Sequence, residues 1–110
     1  MKQSKKRRLE RAGWVVSDTA EFLGLSAEEK RFVELKLALA EGVRQFRERR
    51  GLTQAALAKR LGSSQSRVAK MEAADASVSV DLLIRSLFGI GAKTSDIAAI
   101  IRHGRSTSAA

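Results

Sequence analysis

Four side chains in the middle of the chain have the types and spacing to form several hydrogen bonds from one surface. They are Gln65, Ser66, Arg67 and Lys70. The amide of Gln can pair with the edge of adenine, and Arg or Lys can donate to guanine. The chemistry that this set predicts is therefore the reading of base edges. A solvated helix face of the same composition is the alternative interpretation.

No comparable set for catalysis or metal binding is visible in the sequence. Cysteine is absent, and His103 is the only histidine. There is no Gly-rich phosphate loop and no pair of carboxylates set among apolar residues. His103 falls at the end of a predicted helix, where its charge suits the helix dipole. We expect neither an enzyme active site nor a bound metal or cofactor.

Two short helices joined by a tight turn must position the four polar side chains, within residues 52–72. Gly62 supplies the positive φ that the turn needs, and Ala58 is small enough for two helices to cross closely. Ser64 is placed to cap the second helix. The residues expected to face inward are all apolar: Leu57, Leu61, Val68 and Met71.

A long helix precedes this pair and two helices follow it. Ser26 and Glu29 form a capping box that predicts the start of the long helix, and Gly51 predicts its end. Its apolar stripe has helical spacing: Phe32, Leu35, Leu39, Val43 and Phe46. The other helices are predicted at about 53–60, 64–73, 80–89 and 95–103. The predicted fold class is all-α with five helices.

The remaining segments are predicted from their composition and from the residues that start or end helices. Residues 1–11 read as a disordered basic arm, either solvated or contacting phosphate. Residues 12–27 read as an N-terminal extension with a possible short strand and one helical turn. Residues 28–104 form the helical domain, and residues 105–110 form a tail that begins beyond Gly104.

The chain carries a formal net charge of +9, which is unevenly distributed. Residues 1–11 carry +5 and residues 35–72 carry +6, whereas residues 12–34 carry −3. Such an excess of positive charge suits a protein that binds a polyphosphate. Binding to an anionic membrane surface, or simple solubility, would also account for it. No apolar run approaches the ~18 residues of a membrane span. We expect no secretory signal, and a reducing cytoplasm is the expected compartment.

The stretch from Leu39 to Ile101 resembles the Cro/lambda-repressor-like helix-turn-helix family, also called XRE-type regulators. The motif residues that carry the resemblance are Gln54, Ala58, Gly62, Val68 and Met71. The resemblance implies a five-helix domain that binds double-stranded operator DNA.

Roles for individual residues follow from the same resemblance. It implies that Gln54 and Ser64 hold phosphates, while the first turns of the next helix meet the bases. The implied base readers are Gln65, Ser66, Arg67 and Lys70. The resemblance also implies a structural ion pair between Arg47, late in the first helix, and Glu72.

The chain departs from the family pattern just after Glu72. The family usually has Gly there, and this chain has Ala73-Ala74-Asp75. Either the helix that Ser64 caps, here called the recognition helix, runs longer, or a non-Gly residue takes the left-handed conformation at some cost in free energy. The Pro common in the next loop is replaced by Ala76.

A second, narrower resemblance is carried by the recognition helix together with the segment before the domain. Trp14-Val15-Val16 and the run from Phe22 to Ser26 are similar to the HigA-type antitoxins of bacterial toxin–antitoxin pairs. The resemblance implies a protein that inhibits a RelE-like ribonuclease toxin and represses its own operon. A stand-alone phage-type or chromosomal repressor is the alternative. The implied toxin contacts are Trp14, Val15, Phe22 and Leu25, although Trp14 could instead pack this segment onto the domain.

The apolar residues late in the chain have two interpretations. They could close the core, or they could form the seam of a homodimer, because related regulators dimerise near their fifth helix. The residues concerned are Phe88, Ile90, Ile97, Ile100 and Ile101. We expect a homodimer.

Overall fold

The computed structural model describes the backbone of residues 26–109 and the side chains of residues 26–103. These residues form five helices and no strand, which confirms the predicted all-α fold class. The helices are α1 (Ala27–Arg49), α2 (Gln54–Leu61), α3 (Gln65–Glu72), α4 (Val80–Ile90) and α5 (Thr94–Ala109). The predicted arm and residues 12–25 of the predicted extension lie outside the described residues, together with the predicted toxin contacts Trp14, Val15, Phe22 and Leu25. The last two residues of that extension, Ser26 and Ala27, cap and begin α1.

Helix α1 is the central element of the domain. It begins at the predicted capping box, because the Ser26 hydroxyl accepts from the Glu29 N–H and the Glu29 carboxylate accepts from the Ser26 N–H. Its C-terminal half packs against α3, α4 and α5. The side chains buried most completely come from α1 to α4: Leu39, Val43, Leu57, Val68, Met71, Leu83, Leu87 and Ile90.

Helices α1 and α5 approach each other closely at Gly42. A Cβ atom on Gly42 would lie 2.7 Å from Cδ1 of Ile100, which is too short for a non-bonded contact. The absence of a side chain at Gly42 therefore lets α5 cover the core from this side.

Four of the helices end in the same way, with one residue in the left-handed conformation. At three ends this residue is a glycine, Gly51, Gly62 or Gly91, but at the end of α3 it is Ala74, with φ of 54°. The Asp75 N–H donates to the Lys70 carbonyl at 3.0 Å and closes the turn. Of the two alternatives for this departure, the left-handed non-Gly residue is the one observed.

Two expectations about the C-terminal part need correction. Helix α5 does not end at Gly104 but runs through it to Ala109. Of the residues considered for a dimer seam, Ile90 and Ile97 are 0% and 7% exposed, because α4 and α5 turn these residues toward the core. Ile100 is half-buried against Gly42. Phe88 and Ile101 remain exposed.

Within residues 26–109, no helix combines the length and apolar character that a membrane crossing requires. The same part of the chain holds no group of three or more His, Asp or Glu residues placed to bind a metal ion.

Candidate nucleic-acid interface

A tight turn holds α2 and α3 together. Thr53 caps α2, its hydroxyl oxygen accepting from the Ala56 N–H at 3.0 Å. Gly62 takes the left-handed conformation with φ of 68°, and the Ser63 N–H donates to the Ala58 carbonyl at 2.8 Å. Ala58 is buried where the chain folds back. The turn therefore has the chemistry that the sequence predicts for it.

The inner side of α3 is anchored in the core. Val68 and Met71 are 0% and 1% exposed. The buried Ser86 hydroxyl on α4 lies 3.2 Å from the Met71 sulfur and donates to it. These contacts fix the rotation of α3 about its axis, and so decide which residues face outward.

The outer side of α3 presents the four polar residues predicted from the sequence, and all four are exposed. Successive residues of a helix are about 100° apart around its axis. Ser66 and Lys70, four residues apart, point most directly away from the core. Gln65 and Arg67 lie on opposite edges of this outer face. The four side chains therefore cover a broad surface and do not meet at one point.

These four side chains have no partners within residues 26–103, where no hydrogen bond or ion pair engages them. No acidic residue occurs between Leu52 and Met71, whereas Lys59, Arg60, Arg67 and Lys70 all do. All four cations are exposed. The surface formed by α2 and α3 is thus cationic, and the donors and acceptors of its four polar side chains on α3 are not used by residues 26–103.

The two residues expected to hold phosphates sit at the starts of the two helices. The Ser64 hydroxyl oxygen accepts from the Arg67 N–H at 3.1 Å and caps α3, which leaves its own proton available for another acceptor. The Gln54 amide donates to the Glu72 carboxylate at 3.1 Å. Because that amide group has two N–H bonds, one can still donate elsewhere.

Arg47 and Glu72 form a largely buried ion pair with side chains 14% and 6% exposed. Arg47 donates to the carboxylate through Nε at 2.6 Å and through Nη2 at 3.1 Å. Its Nη1 donates to the Leu52 carbonyl at 2.8 Å. The hydrogen bond to Glu72 raises the pKa of the Arg47 guanidinium above its ordinary value. This cluster ties the end of α1, the start of α2 and the end of α3 to one another.

The contact between Gln54 and Glu72 was not predicted from the sequence. The two residues are 18 positions apart, and no periodicity links them. The resemblance implies a phosphate role for Gln54 and a structural role for Glu72, and the structure brings both into one hydrogen-bonded cluster.

The chain matches a known family. The model of a family described as a helix-turn-helix domain matches residues 38–100, which is more than half of the chain. The match begins within α1, contains α2, α3 and α4 in full, and ends within α5. No curated protein and no solved structure matches the chain.

Proposed function

We propose that this protein is a transcriptional repressor that reads its operator with α3. The premise is that the chain belongs to the helix-turn-helix domain family and is a DNA-binding regulator. The observation that carries this proposal is the outer face of α3, whose polar side chains are exposed and have no partners within residues 26–103. The cationic surface around it provides the electrostatic attraction that DNA binding requires.

The dimensions of α3 suit the major groove. With its side chains an α-helix is about 10–12 Å in diameter and the groove is about 12 Å wide, so this helix of 8 residues can lie within the groove. In this pose Ser66 and Lys70 face the base edges, while Gln65 and Arg67 reach base pairs on either side. Ser64 and the second N–H of Gln54 donate to backbone phosphates, which fix the register of α3 without specifying sequence.

A homodimer would give the protein two such helices. One α3 contacts only a few base pairs, so a pseudo-palindromic operator with half-sites about 34 Å apart fits the proposal. The dimer surface we propose consists of Phe88 and Ile101, which are 48% and 52% exposed. Large apolar side chains exposed to this extent would gain from burial against a second copy.

The experiment that tests this function is a footprint on the DNA upstream of the chain's own gene. We expect protection of two half-sites about one helical turn apart. Binding should weaken steeply with salt and should exceed binding to a scrambled duplex. Equal affinity for the upstream and scrambled duplexes at physiological salt would contradict the proposal.

A second function, inhibition of a ribonuclease toxin, is favoured by one observation on α1. Phe32 is 55% exposed on the stripe that becomes buried from Leu39 onward. It lies before the region that the family model matches, and its neighbours one helical turn away are the exposed Glu28 and the half-buried Lys36. Phe32 belongs to residues 12–34, whose net charge of −3 suits a basic RNA-binding partner. We therefore add Phe32 to Trp14, Val15, Phe22 and Leu25 in the proposed toxin contact.

Co-expression with the product of a neighbouring short, basic reading frame tests this second function. We expect the tagged chain to retain that product, and we expect Phe32→Ala to reduce the retained amount. Arg85→Ala is the control, because it removes an exposed side chain from α4 that belongs to none of the proposed surfaces. If the wild type does not retain the product, or if both variants retain it equally, the proposed contact is wrong. The alternative, a stand-alone repressor, then applies.

A further inference from the structure

The aromatic ring of Phe46 supports two guanidinium groups at the end of α1. The Cζ atom of Arg49 lies 5.3 Å from the ring centroid, and the Cζ atom of Arg50 lies 5.5 Å from it. Phe46 itself is 8% exposed, whereas both arginines are exposed. Cations within about 6 Å of a ring centroid are attracted by its quadrupole. The ring therefore restrains both arginines while their charges stay in contact with solvent.

The turn between α4 and α5 restrains Arg50 from another side. A Cβ atom on Gly91 would lie 2.8 Å from Nη2 of Arg50, so the guanidinium rests against the bare backbone of this glycine. Arg50 is thus positioned by the end of α1, by Phe46 and by the α4–α5 turn.

These two arginines differ from the others near the end of the same helix. Arg44 pairs with Glu41 and Glu48, and Arg47 pairs with Glu72. Among residues 26–103, neither Arg49 nor Arg50 has a carboxylate partner. Their charges are therefore not neutralised by the domain itself.

The pair is also close in sequence to the start of α2, which is one end of the proposed DNA surface. Only Gly51, Leu52 and Thr53 separate Arg50 from Gln54 at the start of α2. This connection is held in place, because the Leu52 carbonyl accepts from Arg47 and the Leu52 N–H donates to the Arg47 carbonyl.

We propose that Arg49 and Arg50 form a binding site for DNA backbone phosphates, adjacent to the phosphate contact of Gln54. This inference rests on the proposed repressor function and extends its footprint from α3 to the end of α1. Guanidinium groups match phosphate geometry with paired N–H donors, and side chains already restrained lose less entropy on binding. Because phosphates are the same at every base pair, the site contributes affinity and register but no sequence preference.

A purely structural role makes a different prediction. Basic residues at a helix C-terminus interact favourably with the helix dipole, and two guanidiniums over Phe46 shield its ring. In that case the arginines would affect folding but not the number of ions released when DNA binds.

Salt dependence of DNA binding distinguishes the two roles. The probes are a duplex from the upstream region and a random duplex of equal length, each titrated over a series of KCl concentrations. Each phosphate contact by a charged residue adds about 0.9 to the slope of log K against log salt. We expect Arg49→Gln and Arg50→Gln each to lower the magnitude of this slope by about 0.9. The ratio of upstream to random affinity should stay unchanged.

Two further variants serve as controls. Arg50→Lys keeps the charge, so it should keep the wild-type slope while losing the paired donors and some affinity. Arg31→Gln removes an exposed arginine about 28 Å away along α1, beyond the Debye length of about 8–10 Å, and should leave the slope unchanged.

The possible results separate this inference from the function on which it rests. Wild-type slopes for both glutamine variants would overturn the phosphate site and leave the repressor function standing. A slope lowered equally by Arg50→Lys and Arg50→Gln would also overturn it, because packing and not charge would then be responsible. If the wild type shows no preference for upstream DNA, the proposed function fails, whatever the slopes of the variants.

Discussion

Glu72 is a buried carboxylate at the end of α3. A carboxylate that is 6% exposed is costly to bury, and it is retained only with good geometry and satisfied oxygens. Here three donors reach it: Nε and Nη2 of Arg47 and the amide of Gln54. The same carboxylate therefore joins the core of the domain to a residue that we propose contacts DNA.

Removing the charge of Glu72 should destabilise the domain. In Glu72→Gln the buried Arg47 loses the carboxylate to which it donates and keeps only the 3.9 Å ion pair with the exposed Glu48. Breaking one side of a buried pair costs about 3–5 kcal/mol. Urea denaturation followed by circular dichroism measures the loss. Glu48→Gln is the matched control, because the Glu48 side chain is 53% exposed and its ion pairs on α1 should contribute no more than about 1 kcal/mol. Losses of equal size in the two variants would show that Glu72 has no special structural role.

At the scale of elements, the end of α3 is unusual. Alanine in the left-handed conformation costs about 1–2 kcal/mol relative to the right-handed one. Ala74 adopts the left-handed conformation at a buried position, where it is 4% exposed and its methyl group packs in the core. The end of α3 therefore contains local strain that the other three left-handed turns avoid by using glycine.

The strain at Ala74 predicts an unusual response to glycine. Ala74→Gly relieves the left-handed strain but loses one buried methyl group, about 0.8 kcal/mol, and about 0.4–1 kcal/mol through the greater entropy of the unfolded chain. These effects nearly cancel, so we expect stability within about 1 kcal/mol of wild type.

Ala58→Gly is the control for this prediction. Ala58 is equally buried but lies inside α2, where there is no strain to relieve, so this variant should lose about 2 kcal/mol. Thermal or urea unfolding of both variants provides the comparison. A similar loss at Ala74 and Ala58 would mean that the α3 turn is not strained.

The sequence predicts helix starts better than it predicts what helices contact. Starts depend on local chemistry, and the caps Ser26 and Ser64 form as expected. The end of α5 was predicted wrongly at Gly104, because glycine within a helix costs only about 1 kcal/mol and does not by itself stop one. Only a required positive φ, as at Gly62, makes a glycine a reliable stop.

Contacts between distant residues needed the structure. A stripe of apolar residues in α4 and α5 has the same spacing whether it faces the core or a second copy. Ile90 and Ile97 therefore could not be separated from Phe88 and Ile101 until their burial was known. The outer residues of α3 could be predicted, because the inward residues Val68 and Met71 fix the orientation of that helix.

At the scale of the whole molecule, the cationic side chains of the proposed DNA surface and the exposed large apolar side chains belong to different helices. The cationic side chains of α2 and α3 have no acidic neighbour in residues 52–71, and they suit DNA. Phe32 on the first turns of α1 and Phe88 and Ile101 near the C-terminal end are the exposed large apolar side chains of residues 26–103. In the proposed operator-bound homodimer, the cationic side chains contact DNA while Phe88 and Ile101 contact the second copy.

In the proposed function, the outer face of α3 reads bases. The most direct measurement is a binding profile over all single-base variants of the operator half-site, obtained for the wild type and for Gln65→Ala and Arg67→Ala. Arg31→Ala on α1 serves as the control and should reproduce the wild-type profile. Each reader variant should lose about 1–3 kcal/mol and lose discrimination at particular base pairs. Because Gln65 and Arg67 lie on opposite edges of α3, the affected base pairs should differ. Profiles identical to wild type for both variants would contradict the account.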